Sequence, residues 1–86
     1  MNISVPDPPR ADAVETTDDT LVVHLTDGRT LSVPLDWFPR LRQASAEERR
    51  NWRLVGRGIG IHWDGIDEDL SVKALLQPRG MHQESA

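Results

Sequence analysis

The 86-residue sequence predicts an α+β domain, two antiparallel β-hairpins forming a small sheet with short helices packed on it. Three observations lead there. Leu21, Val23 and Leu25 alternate with Val22 and His24, and Leu31, Val33 and Leu35 repeat that two-residue period beyond Asp27-Gly28, a pair suited to the positive φ of a tight hairpin turn. A second alternation, Trp52 and Leu54, then Ile59, Ile61 and Trp63, is interrupted by Gly56-Arg57-Gly58, which supplies another turn. Helix signals lie between and after the hairpins, at Asp36, at Ser45 with Glu48, and around Leu70 to Leu76.

Taken along the chain, residues 1–10 form an extended N-terminal arm, because Pro6, Pro8 and Pro9 remove backbone donors. Residues 11–77 form the domain. Ala11 to Thr17 is read as a first strand around Val14, followed by a turn at Asp18-Asp19, whose short side chains bond nearby backbone groups. A strand over 20–26 begins the first hairpin, and Pro34 is expected to end its pairing. Asp36 is the expected N-cap of a short helical turn that tolerates Pro39 in its first four residues and packs Trp37, Phe38 and Leu41 on the sheet. Ser45 and Glu48 have capping-box spacing for a helix over Ala46 to Asn51. The acidic stretch Asp64 to Asp69 leads into a last helix carrying Leu70, Val72, Leu75 and Leu76, capped by Asp69 or Ser71 and ended by Pro78 and Gly80. Residues 78–86 are expected to be a flexible polar tail.

Composition narrows the function classes. A single domain of this length buries only about two thirds of the surface its unfolded chain exposes, and with no cysteine neither a disulfide nor a thiolate zinc site supplements the core. The longest strongly apolar run, Leu21-Val22-Val23, is far too short to cross a bilayer, and the N-terminus lacks a signal-peptide pattern, so a cytoplasmic location and no membrane partner are expected. A net charge of −4 opposes long-range attraction to nucleic acid, although six arginines, Arg40, Arg42, Arg49, Arg50, Arg53 and Arg57, make the stretch 40–57 locally basic.

Several groups invite chemistry, and each has a structural competitor. His62, Asp64, Asp67, Glu68 and Asp69 are oxygen and nitrogen donors of the kind a hard cation takes, but their spacing is not that of a calcium loop and acidic residues before a helix favour its dipole, so no metal is expected. His24, His62 and His82 lack a serine or cysteine in a nucleophile motif, so no catalytic residues are assigned. Glycines 56, 58 and 60 lack the helix that a dinucleotide-binding loop requires, which leaves a hairpin turn, with Gly60 marking a bulge or close backbone approach, and no cofactor is expected. Trp52 beside the arginines is suited to stacking on a base, or to a solvated helix face paired with the acidic stretch within the fold or across a dimer. The aromatic residues Trp37, Phe38, Trp52 and Trp63 are needed for the core. Tryptophan and arginine also dominate protein interfaces, so Trp37, Phe38, Arg40, Arg42 and Arg53 are the expected partner-binding set.

Asp27-Gly28-Arg29, Val33 to Leu41, Ala44 to Trp52, Gly60-Ile61-His62-Trp63, Asp67 to Val72 and Leu75-Leu76 resemble, in order and spacing, the domain-of-unknown-function family 2442 of small bacterial proteins. The resemblance covers residues 11–77 and implies a compact α+β fold. It also implies a non-enzymatic accessory protein, in some members followed by a helix-turn-helix domain, and in many encoded beside a second small protein in an arrangement similar to a toxin and antitoxin pair. The expected function is a protein-binding accessory module, the antitoxin-like half of a two-protein system, whose partner is a small protein encoded by a neighbouring gene. The alternative is a nucleic-acid-binding transcriptional regulator using the arginine-rich stretch 40–57.

Overall fold

In a computed structural model, residues 8–77 are described. Residues 1–7 of the arm, the tail at 78–86, the helix stop at Pro78 and Gly80, and His82 lie outside the described residues. The fold is α+β, and its strands form two separate three-stranded antiparallel sheets, with orders β1-β2-β3 and β4-β5-β6. The expected single sheet is therefore corrected to two: the first hairpin pairs with the strand read at Ala11 to Thr17, and the second gains a strand at Glu68–Ser71 where a helix start was expected, so each becomes a meander.

The first meander comprises β1 (Ala11–Thr16), β2 (Thr20–Leu25) and β3 (Thr30–Pro34). Its register follows the alternation, with Leu21 opposite Val33 and Val23 opposite both Val14 and Leu31, so Val14, Leu21, Val23, Leu25 and Val33 are buried on one face. A bulge between Ala11 and Ala13 bends the start of β1. Gly28 adopts φ 96° in the turn as the Asp-Gly signal requires. Pro34 pairs with Thr20 and is the last residue of β3, so it ends the pairing as expected; an edge strand accepts proline because its missing donor faces away from the ladder.

The connection is two short helical pieces. A 3₁₀ turn spans Leu35–Trp37, and α1 (Pro39–Gln43) begins with Pro39 at its first position, where no intrahelical donor is needed. Asp36 does not cap α1 as expected; it lies within the preceding turn and meets Arg42 at 3.2 Å. The capping box of α2 (Ala46–Arg50) forms as read, with Glu48 N donating to Ser45 Oγ at 3.0 Å and Ser45 N donating to Glu48 Oε1 at 2.9 Å.

The second meander comprises β4 (Trp52–Val55), β5 (Gly60–Trp63) and β6 (Glu68–Ser71). The acidic run is here a turn followed by the start of a strand, not the opening of a helix. A four-residue turn at 64–67, with Asp67 at φ 51°, reverses the chain and lays Glu68 to Ser71 against β5. Aspartate adopts this left-handed conformation more readily than most residues. Consequently α3 (Val72–Leu75) is one turn long, and Ser71, not Asp69, caps it, with Ala74 N donating to Ser71 Oγ at 3.2 Å.

Both meanders contribute to one hydrophobic cluster, in which Leu21, Leu35, Leu41, Ile61, Trp63 and Val72 are fully buried. Two features bind the halves together, one polar and one a close backbone approach. Arg49, on the short polar helix α2, donates to the carbonyl oxygens of Leu41, Arg42 and Thr17, while its own carbonyl accepts the indole N–H of Trp63 at 3.1 Å. Gly58, at φ 95°, lies so near β1 that a Cβ there would collide with the Ala11 carbonyl oxygen. Among the described residues no buried side-chain nitrogen or oxygen lacks a hydrogen-bond partner, and no helix is long and apolar enough to cross a membrane.

Candidate functional site

Strand β6 separates two surfaces of interest. On β4, β5 and β6, pairing places Trp52, Trp63 and Glu68 in one row and Leu54, Ile61 and Leu70 in the next, and these residues turn toward the core side of the sheet. The alternate rows, Arg53–His62–Asp69 and Val55–Gly60–Ser71, therefore share the outer face.

The first outer row is a charge cluster. His62 Nδ1 lies 2.6 Å from Asp69 Oδ1, His62 Nε2 lies 3.0 Å from Asp64 Oδ1, and Arg53 Nε donates to Asp64 Oδ2 at 3.3 Å. A neutral imidazole has one N–H and donates to one of the two carboxylates, whereas the doubly protonated ring donates to both. The Arg53 guanidinium holds the Asp64 carboxyl below the ordinary aspartate range. Of the five residues considered as metal donors, the fold gathers His62, Asp64 and Asp69, while Glu68 faces Arg40 of α1 at 3.8 Å and Arg40 also donates to the main-chain carbonyl of Asp67 at 2.7 Å. Within the described residues no group of three or more such side chains is arranged to hold a metal ion.

The second outer row is apolar. Gly60 has no side chain, and a Cβ there would meet Val55 Cγ2 at 2.9 Å, so Val55 leans over a bare strand. The result is a trough of about 530 Å³, floored by Gly60, walled by Pro8, Pro9, Val55 and Ile59, and bordered on the β6 side by Asp69 and Lys73. Gly60 thus makes the close approach expected of it, but to a side chain and without a bulge in the β5 pairing. Ile59 precedes β5 rather than continuing its alternation, and at 43% it is the exposed large hydrophobic among the described residues.

On the other side of β6, Trp37, Phe38, Leu70, Ala74, Leu75 and Gln77 line a smaller recess of about 160 Å³. Phe38 is buried and meets Trp37 edge to face at 6.4 Å, while Trp37 is half-buried. Arg40 and Arg42 remain exposed on the same short helix, α1. The fold therefore brings together Trp37, Arg40 and Arg42 of the expected partner-binding set, places Phe38 behind them, and carries Arg53 away to the outer face of the second meander. Trp52 lies on the core side of β4 and packs against the hydrophobic cluster. Sequence reasoning placed Ile59 and Leu70 in secondary structure but proposed none of Val55, Ile59, Leu70 or Lys73 as a site residue. An isoleucine between two glycines was the available signal, because Gly58 and Gly60 leave little side chain around it.

The profile of a family described as "Protein of unknown function (DUF2442)" matches residues 11–80. A solved structure of a protein of unknown function from Rhodospirillum rubrum ATCC 11170 is similar in fold, with a TM-score of 0.71 and 26% identity over 86% of this chain and 96% of that one. A comparison with curated proteins finds no match. The order of landmarks from Asp27-Gly28 to Leu75-Leu76 and the profile match over most of the chain agree, and the chain belongs to the DUF2442 family.

Proposed function

We propose that this chain is a non-enzymatic protein-binding accessory module, the antitoxin-like half of a two-protein system, and that it engages a small protein encoded by a neighbouring gene through the Trp37, Arg40 and Arg42 corner. The observation that carries this reading is the recess beside β6, where a half-buried tryptophan, backed by Phe38, sits on the same connection as two exposed arginines. Tryptophan and arginine contribute most to protein interfaces when an apolar pocket lies beside them. The charged clusters nearby satisfy one another instead of converging on a cavity, which favours binding over chemistry.

Several of the arginines between 40 and 57 are engaged within the chain. Arg40 serves Asp67 and Glu68, Arg42 serves Asp36, Arg49 serves three carbonyls and Arg53 serves Asp64. That dispersal disfavours the alternative of a nucleic-acid-binding regulator, which needs a continuous basic face.

Co-expression with the neighbouring gene's product tests the proposal. A stable complex that Trp37→Ala and the double substitution Arg40→Ala, Arg42→Ala each weaken is expected. Failure to form a complex, together with no relief of any growth defect caused by the neighbour, would remove it. Salt-dependent binding to mixed DNA and RNA would put the regulator in its place.

A further inference from the structure

We propose that the trough on the outer face of the second meander is a self-association surface, seating the same face of a second copy of this chain. This is a different surface from the Trp37 corner and does not depend on the function proposed for it.

A twofold interface must be its own complement, carrying both the feature that protrudes and the feature that receives it. The trough has both. Ile59 stands exposed on its wall, and Gly60, bare of a side chain, leaves the adjacent floor to an apolar recess that Val55 only partly covers. An apolar knob beside an apolar recess satisfies one copy's exposed isoleucine with the other copy's floor.

The charges at the rim obey the same symmetry. Asp69 on β6 and Lys73 on α3, before and after Ser71 in the chain, both border the trough, and Ser71 shares its row with Gly60 and Val55. A twofold axis running across the strands along that row sets Asp69 of one copy opposite Lys73 of the other, and Lys73 of the first opposite Asp69 of the second. Two acid–base pairs then flank an apolar centre, with charge at the border and none in the middle. The Asp69 carboxylate has its Oδ1 on His62 but remains 74% exposed, so its other oxygen is available to the second copy.

Sedimentation equilibrium of the full chain over a range of concentrations provides the first test. The mass is expected to rise from one chain toward two, and Ile59→Asp, a change at an exposed position, is expected to weaken association by about tenfold or more while leaving circular dichroism unchanged. Trp37→Ala is expected to leave association intact. A chain that stays monomeric throughout, or a dimer insensitive to Ile59→Asp, overturns the proposal.

The absence of cysteine from the sequence permits a second test of the geometry. Chains carrying Lys73→Cys are mixed with chains carrying Asp69→Cys and oxidised. The mixed disulfide is expected to form faster than either like-with-like disulfide. Faster formation of the like pairs overturns the twofold arrangement.

Discussion

The two meanders have the same strand order and each carries a histidine at the penultimate residue of its middle strand, His24 in β2 and His62 in β5. On the first, His24 Nε2 meets one carboxylate, Glu15, at 2.8 Å, and the imidazole side chain is 36% exposed. On the second, His62 is held between Asp64 and Asp69 and is 16% exposed. Beside His24 stand Val22 and Thr30, whereas beside His62 the chain places a glycine and, past it, an exposed isoleucine. The difference shows how one scaffold carries two kinds of surface. A meander with side chains at every position covers its own outer face, while one glycine in a middle strand leaves a trough beside it.

The comparison is sharpened first by asking whether the meanders fold as a unit. Trp63→Ala removes a fully buried side chain and orphans the Arg49 carbonyl that links the halves, and a loss of about 3–5 kcal/mol in urea unfolding is expected. Because the core is shared, amide protection at Leu21 to Leu25 in the first meander should fall with that in the second. Protection retained in β2 alone would break the picture of one cluster.

The two turn glycines test the hairpins separately. Gly58→Ala meets the Ala11 carbonyl at a positive φ, so the expected destabilisation is about 1–3 kcal/mol. Gly28→Ala has the same sign of φ but open space around it, and about 1 kcal/mol is expected from the backbone alone. Equal thermal shifts for the two would mean that the contact with β1 contributes nothing.

Substituting the paired histidines comes next in size. His62→Ala leaves Asp64 and Asp69 facing each other without the ring between them, for an expected cost of about 1–2 kcal/mol, while His24→Ala loses one exposed contact and should cost about 0.5 kcal/mol or less. Chemical denaturation of the two variants side by side measures the difference.

The smallest effect is acid sensitivity. Asp64 is lowered by Arg53, Asp19 by the hydroxyls of Thr20 and Thr17, and Asp27 by the backbone N–H of Arg29. A carboxyl whose folded pKa is depressed contributes its stability above the unfolded value and loses it as pH falls through the folded one, so the decline belongs below about pH 4. Asp64→Asn should make that decline shallower, as read from unfolding midpoints across the acid range.

Much of the first meander was legible because its signals are local. Alternation over Leu21–Leu25 fixes which face is buried, and Asp27-Gly28 fixes the turn. The capping box at Ser45 and Glu48 was legible for the same reason, since both of its hydrogen bonds close within four residues. The second meander was half legible. Its first two strands follow from Trp52 to Trp63, but Glu68-Asp69-Leu70-Ser71 has the composition of a helix start, and its strand conformation comes from pairing with β5 across a turn that depends on Asp67 at positive φ. The candidate site shared this fate. The sequence marks His62 and the carboxylates as a cluster, yet whether Asp67 and Glu68 join it depends on which way the β5–β6 turn directs them.

What the sequence by itself determined is the α+β class, the first hairpin, the α2 cap and the family, all carried by residues near one another in the chain. Tertiary structure alone decided that there are two sheets, that Arg49 joins them, and that Gly60 opens a trough beside Ile59. Those features rest on contacts between distant residues, such as Gly58 with Ala11 and Trp63 with Arg49, and no local propensity specifies them. Burying a shared core brings the two halves together, and the outer faces are what that burial leaves for other molecules to meet.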